Sequence, residues 1–216
     1  MAIDKATISK ALKQAREKTK TRKFAQTVDF IVNLNLDMKA NKVDFFVDLH
    51  YERGKKTSVC ALVGAELLDN AKENCDFAVE SENFVKYQKD KKETKRLAKK
   101  YDYFIAQANI MPKIAAAFGR YFGPLNKMPN PKAGCVVPSN ANLAPLVKKL
   151  QKLVKVRSLR NPVVQVAVAT EKIEDEKIID NILTVYKALL THLPNGENNV
   201  KGAYLKLTMG PAVRIE

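Results

Sequence analysis

Apolar and polar residues repeat along this chain at two periods, and the changes of period divide it. Over residues 5 to 18, Ile8, Ala11, Leu12 and Ala15 recur at three- and four-residue spacing. Lys10, Lys13, Arg16 and Lys18 take the other face, which predicts an amphipathic helix. The period then falls to two. Val28, Phe30, Val32 and Leu34 alternate with Thr27, Asp29, Ile31 and Asn33; over 42 to 49, Val43, Phe45, Val47 and Leu49 alternate with Lys42, Asp44, Phe46 and Asp48. Each run predicts a strand with one covered face, and their nearness in sequence suggests a hairpin over the helix.

Near residue 54 the style changes. Glu52-Arg53-Gly54-Lys55-Lys56 is polar and reads as a linker, and Val59-Cys60-Ala61-Leu62-Val63 is a continuous apolar run, as in a strand buried on both faces. A helical segment over about 65 to 74, a short strand at 76 to 79, a basic helix near 91 to 100 and the apolar run Tyr103-Phe104-Ile105-Ala106 follow. Strands alternating with helices predict a parallel sheet. Residues 111 to 119 and 143 to 152 read as helices, and Gly123 to Pro138 between them, rich in Pro and Gly, as a loop with little regular structure. Beyond Asn161-Pro162 the one-sided alternation returns with Val164, Val166 and Val168, a helix over about 175 to 190, and a strand over 203 to 209. That strand puts Tyr204, Lys206 and Thr208 on one face and Ala203, Leu205, Leu207 and Met209 on the other. The expected class is α/β: a split domain of residues 1–56 and 157–216 interrupted by an inserted domain over 57–156.

Composition narrows the function. Hydrophobic residues make up 46 % of the 216, enough for a substantial core, and 38 Lys and Arg against 23 Asp and Glu give a net charge of +15. Such a balance points to a polyanionic partner. No apolar run approaches a membrane span, and Met1-Ala2-Ile3-Asp4-Lys5 leads into a charged amphipathic stretch without a signal peptide's apolar core. Cys60, Cys75 and Cys135 form no close pair and read as reduced cytoplasmic thiols; His50 and His192 are isolated, so no metal site is expected. Gly119 to Gly123 followed by Lys127 lacks phosphate-loop spacing, and Gly64-Ala65-Glu66 lacks the further glycines of a dinucleotide fingerprint. No catalytic residue, cofactor or small-molecule substrate is expected.

Two stretches carry the chemistry of RNA recognition. Arg22-Lys23-Phe24-Ala25-Gln26-Thr27 joins cations for phosphate, an aromatic plane for sugar or base, and short polar groups for a ribose hydroxyl. The last predicted strand ends in Thr208-Met209-Gly210-Pro211, a turn whose glycine lets backbone come close to a neighbour. A third feature, Lys86, Lys89, Lys91, Lys92, Lys95, Arg96, Lys99 and Lys100, reads first as a solvated helix face that adds non-specific attraction to RNA.

Together these stretches resemble the large-subunit ribosomal protein one family, the protein of the mobile ribosomal stalk. Its Lys-Phe-x-(Gln/Glu)-(Ser/Thr) strand start is matched by Lys23 to Thr27, and its terminal Thr-Met-Gly by Thr208 to Gly210. Tyr103 to Ala108, Ile110-Met111-Pro112, Gly119 to Pro124 and Lys127-Met128-Pro129-Asn130-Pro131 resemble the family's inserted domain, in an archaeal style. Leu125-Asn126 departs from the family's Arg-Gly, so no role is carried to that loop, and Gly202 stands where bacterial members often place an RNA-contacting Ser.

The resemblance implies a two-layer RNA-binding domain and an inserted Rossmann-like three-layer domain, joined by a two-strand hinge near 54–58 and 155–161. Lys23, Phe24, Gln26, Thr27, Lys206, Thr208, Met209 and Gly210 would then line the RNA surface. The implied partners are large-subunit ribosomal RNA, exit-site transfer RNA and the chain's own messenger RNA, on the cytoplasmic ribosome. The alternative is a nucleotide-dependent Rossmann-like enzyme with a basic nucleic-acid-binding appendage, which predicts stabilisation by a mono- or dinucleotide.

Overall fold

A computed structural model describes residues 3–37, 41–159 and 161–215. In chain order the elements are α1 (Lys5–Glu17), β1 (Thr27–Leu34), β2 (Val43–Asp48), β3 (Val59–Val63), α2 (Leu68–Asn74), β4 (Phe77–Glu80), α3 (Phe84–Lys89) and α4 (Lys91–Lys100). They continue with β5 (Tyr103–Gln107), α5 (Met111–Phe122), β6 (Val136–Val137), α6 (Leu143–Lys152), β7 (Leu153–Ser158), β8 (Val163–Thr170), α7 (Asp175–His192), β9 (Val200–Leu207) and β10 (Val213–Ile215). Met1 and Ala2 of the charged N-terminal stretch and Arg160 of the second expected crossing lie outside the described residues. The class is α/β, as the alternating periods predict. Two compact units form, Met1–Lys55 with Lys152–Glu216, and Lys56–Gln151.

In the first unit an antiparallel sheet has the order β10-β9-β1-β8. The alternation along β1 is fully realised: Val28, Phe30, Val32 and Leu34 are buried and share one core with Ile8 and Leu12 of α1 and Ile178, Ile182 and Leu189 of α7. Each such side chain contributes about 1.5–3 kcal/mol by leaving water. The opposite face stays half-exposed and polar, with Asp29 across from Lys206 and Ile31 across from Tyr204.

Two expectations are corrected here. β1 and β2 form no hairpin, because β8 and β9 occupy both edges of β1 while β2 pairs with β7. The return crossing does not run over 155–161, because Leu153 to Ser158 is the strand that pairs with β2, and the unit boundary falls at Gln151 and Lys152.

The second unit holds a parallel sheet of order β4-β3-β5-β6. Every residue of β3 is buried, as a strand covered on both faces requires. Cys60, Leu62 and Phe104 enter an aromatic core in which Phe118 lies edge-on to Phe84 at 5.3 Å and stacks on Phe122 at 5.1 Å. Val136 and Val137 add an edge strand inside the segment read as a loop. Outside that core, His50 meets Asp180 at 2.6 Å and His192 stacks on Phe45 at 3.8 Å, both within the first unit.

Candidate nucleic-acid interface

The two terminal sequence stretches meet at one end of the first unit's sheet, where β1 begins and β9 ends. Val28 is registered against Leu207, which sets Thr27 against Thr208 just beyond the ladder. The Thr208 N–H donates to the Thr27 carbonyl at 3.1 Å, and the Thr27 N–H donates to Thr208 Oγ1 at 2.9 Å. The Met209 N–H then donates to Gln26 Oε1 at 3.1 Å, and the Gly210 N–H to the Leu207 carbonyl at 2.9 Å. Residues 181 and 183 positions apart in sequence are thereby tied by main chain and side chain together.

The eight expected residues differ in exposure and partners. Phe24 and Met209 are 52 % and 57 % exposed, two large apolar side chains held in water at the same end of the sheet. Large apolar groups exposed singly are ordinary on a protein surface; it is two at one end of a sheet that suggest a contact surface. Lys23 is exposed beside them, and Lys18, Lys20, Arg22 and Lys23 have no ion-pair partner among the described residues. Arg16, one turn back, is by contrast paired with Asp175 at 2.7 Å. Lys206 and Thr27 lie half-buried on the polar sheet face. Burial of Asp29 raises its carboxyl above the ordinary value of 3.8, an effect that the charge of Lys206 partly offsets.

Three of the residues expected to line the RNA surface have polar groups that bond within the chain. Gln26 is 2 % exposed and braces the Met209 turn from beneath. The Thr208 hydroxyl is already engaged with Thr27. Gly210 donates its N–H inward, and its lack of a Cβ is required by this chain itself, since a methyl group there would run into the Thr19 side chain at the end of α1. Parity along β1 carried the signal for Gln26, which shares the register of Val28 and Phe30 and so points to the core side.

Residues 14–211 match the Ribosomal protein L1p/L10e family. The chain belongs to this family. It is 39 % identical to the large ribosomal subunit protein uL1 of Thermococcus kodakarensis, over the full length of both chains. It is 39 % identical to the protein of that name from Pyrococcus horikoshii, covering 100 % of this chain and 98 % of that one, and 40 % identical to that of Nanoarchaeum equitans, covering 94 % and 97 %. The match with L1p/L10e relatives spans both compact units, so it takes in the unit with the parallel sheet as well as the terminal network.

In this L1p/L10e chain the parallel sheet grows to both sides of β3, with β4 on one side and β5 on the other. A crevice at the carboxyl ends of such neighbouring strands is where open α/β sheets usually hold a nucleotide. Here Gln107, 3 % exposed, lies at that end: Oε1 accepts the Gly64 N–H at 2.8 Å and Nε2 donates to Glu66 at 3.3 Å. The turn that follows carries the carboxylate of Glu66 where a phosphate would need donors. Gln107 thereby ties the turn after β3 to the end of β5. No helix among the described residues is long and apolar enough to cross a membrane.

Proposed function

We propose that this protein is a structural constituent of the large ribosomal subunit and that the β1–β9 end of its first unit holds large-subunit ribosomal RNA. The observation that carries the reading is the pair Phe24 and Met209, exposed apolar groups on a hydrogen-bonded platform and flanked by cations that have no ion-pair partner among the described residues. Cations neutralise phosphate, while the ring and thioether offer apolar surface to sugar or an unstacked base. Membership of the L1p/L10e family and the relatives' name support the assignment. On this reading the protein forms the mobile stalk near the exit site of the cytoplasmic ribosome and helps deacylated transfer RNA to leave. The chain crosses between its two units twice, a connection able to bend. The same platform binds the chain's own messenger RNA where that RNA imitates the ribosomal site, and so represses synthesis.

The test is affinity for a stalk fragment of ribosomal RNA. Phe24→Ala removes an exposed ring and Met209→Asp puts a carboxylate in place of an exposed thioether, so both variants keep wild-type unfolding curves while binding weakens by about 1–3 kcal/mol or more, the second also by repelling phosphate. Unchanged affinity in both variants removes the platform from the account. A leader transcript of the chain's own messenger RNA that fails to compete with the stalk fragment would refute the repression reading.

A further inference from the structure

The second unit carries a feature that the terminal platform does not use. Residues 86 to 100 hold eight cations against two carboxylates, Asp90 and Glu93. Asp90 is the N-cap of α4 and accepts the N–H groups of Lys92 and Glu93 at 2.9 and 3.1 Å. Its carboxylate is therefore committed to the helix end. Along α4, Lys92, Arg96 and Lys100 form one four-residue row and Lys95 and Lys99 the next, so all five lie on one face. All five are exposed and line a shallow open depression. None has an ion-pair partner among the described residues; Lys100 only approaches the Tyr101 ring, at 5.3 Å.

Two things set this face apart from an ordinary solvated helix. Like charges repeated at four-residue spacing, with Lys91 and Lys92 in the first turn against the helix dipole, oppose helix formation. Yet the helix is seated firmly. The hydroxyl of Thr94, fully buried, lies within hydrogen-bonding reach of the Tyr87 and Asp90 carbonyls, and Leu97 and Ala98 are buried in the unit's core. The self-repelling charges are thus held in place by packing on the opposite side. From Lys92 to Lys100 the stripe runs about 12 Å at the helical rise. A nucleic-acid strand places three or four phosphates along a comparable length of its axis, at about 3.4 Å each.

We infer that the exposed face of α4 is a second RNA-binding surface, one that takes the phosphate backbone of a double-helical segment without reading its sequence. Among its own residues α4 has no aromatic group for stacking and no exposed short polar side chain for base edges, so charge and spacing are its means of recognition. The inference rests on the ribosomal RNA reading above but engages different residues in the other unit.

The experiment compares the whole chain with its K95Q/R96Q/K99Q variant, which keeps good helix formers and the buried side of α4. Both are titrated with a stalk fragment extended by a duplex arm and with an unrelated duplex RNA, across a salt series. Each lost phosphate contact flattens the slope of log affinity against log salt by roughly 0.9. Three lost contacts reduce it by about 2.7, so a fourfold rise in salt weakens the parent about forty-fold more than the variant. The variant is expected to lose most duplex binding at low salt while preferring the stalk over a scrambled fragment as the parent does. An unchanged salt slope with an unchanged circular dichroism spectrum overturns the inference. So does parent-specific capture by phosphatidylserine vesicles with no change in duplex binding, which would assign the face to a membrane. If the parent itself shows no stalk preference, the platform reading fails, and the slope difference still decides the α4 face independently.

Discussion

Gln26→Leu separates a brace from a contact. Leucine matches glutamine closely in volume, so the change removes the Oε1 acceptor with little loss of packing. The Met209 N–H, 3.1 Å from that acceptor, is left in a partly buried position without a partner. An unsatisfied buried donor costs about 1–3 kcal/mol, and partial access of water at this turn places the cost in the lower half of that range. For a chain of this length about 1 to 1.5 kcal/mol lowers the melting temperature by roughly 2–6 °C. Affinity for the stalk fragment should fall as well, by about tenfold or 1.4 kcal/mol, although Gln26 presents almost no surface. The reason is that the Thr208-to-Gly210 turn then keeps its ladder and Leu207 bonds but loses its tie to the β1 side. Thermal unfolding and fluorescence anisotropy on the same preparations check both numbers. Full stability with reduced affinity would make Gln26 a direct contact and refute the brace; reduced stability with unchanged affinity would detach the turn from RNA recognition.

Gly210→Ala drives a methyl group into Thr19 and should destabilise by about 1–3 kcal/mol, with Thr19→Ala in the same chain restoring most of the loss in a urea titration. No restoration would mean that the glycine is required for another reason. Asp29→Asn should stabilise the protein near neutral pH. Burial raises the folded carboxyl above 3.8, so the ionised form is the disfavoured one, and the gain is full above the raised value. It disappears as pH falls below 3.8, where folded and unfolded carboxyls are both protonated. Melting temperatures from pH 3 to 7 test the sign; a gain that grows on acidification refutes it.

The one-sided strands were legible because each buries one face, so Val28 to Leu34 and Val164 to Val168 carry their own register. The run Val59 to Val63 was legible for the opposite reason, being covered on both sides. Pairing was less legible. Nothing in the residues of β1 says that strands whose partner residues lie 130 or more positions away will occupy both its edges, and nearness in sequence suggests β2 instead. β7 was missed although Val154 and Val156 alternate with Lys155 and Arg157, because the pattern follows α6 without a break and looks like the tail of a cationic helix. β6, with two residues, is too short to show a period. Of the candidate site, the residue types were visible in the sequence and the hydrogen bonds among them were not. A motif identifies Gln26, Thr208 and Gly210 but cannot tell that their polar groups bond to each other's backbone, or that Thr19 supplies the steric reason for the glycine.

The measurement that bears most directly on the proposed RNA platform is binding of the whole chain to a stalk fragment of large-subunit ribosomal RNA beside a scrambled fragment of equal length, over a range of salt. A platform built from Phe24, Met209 and their hydrogen-bonded support predicts a preference for the stalk that persists as salt rises, because shape and apolar contact are not screened. Equal affinity for both fragments at every salt concentration would contradict it, leaving only the attraction of a chain with net charge +15 for any polyanion.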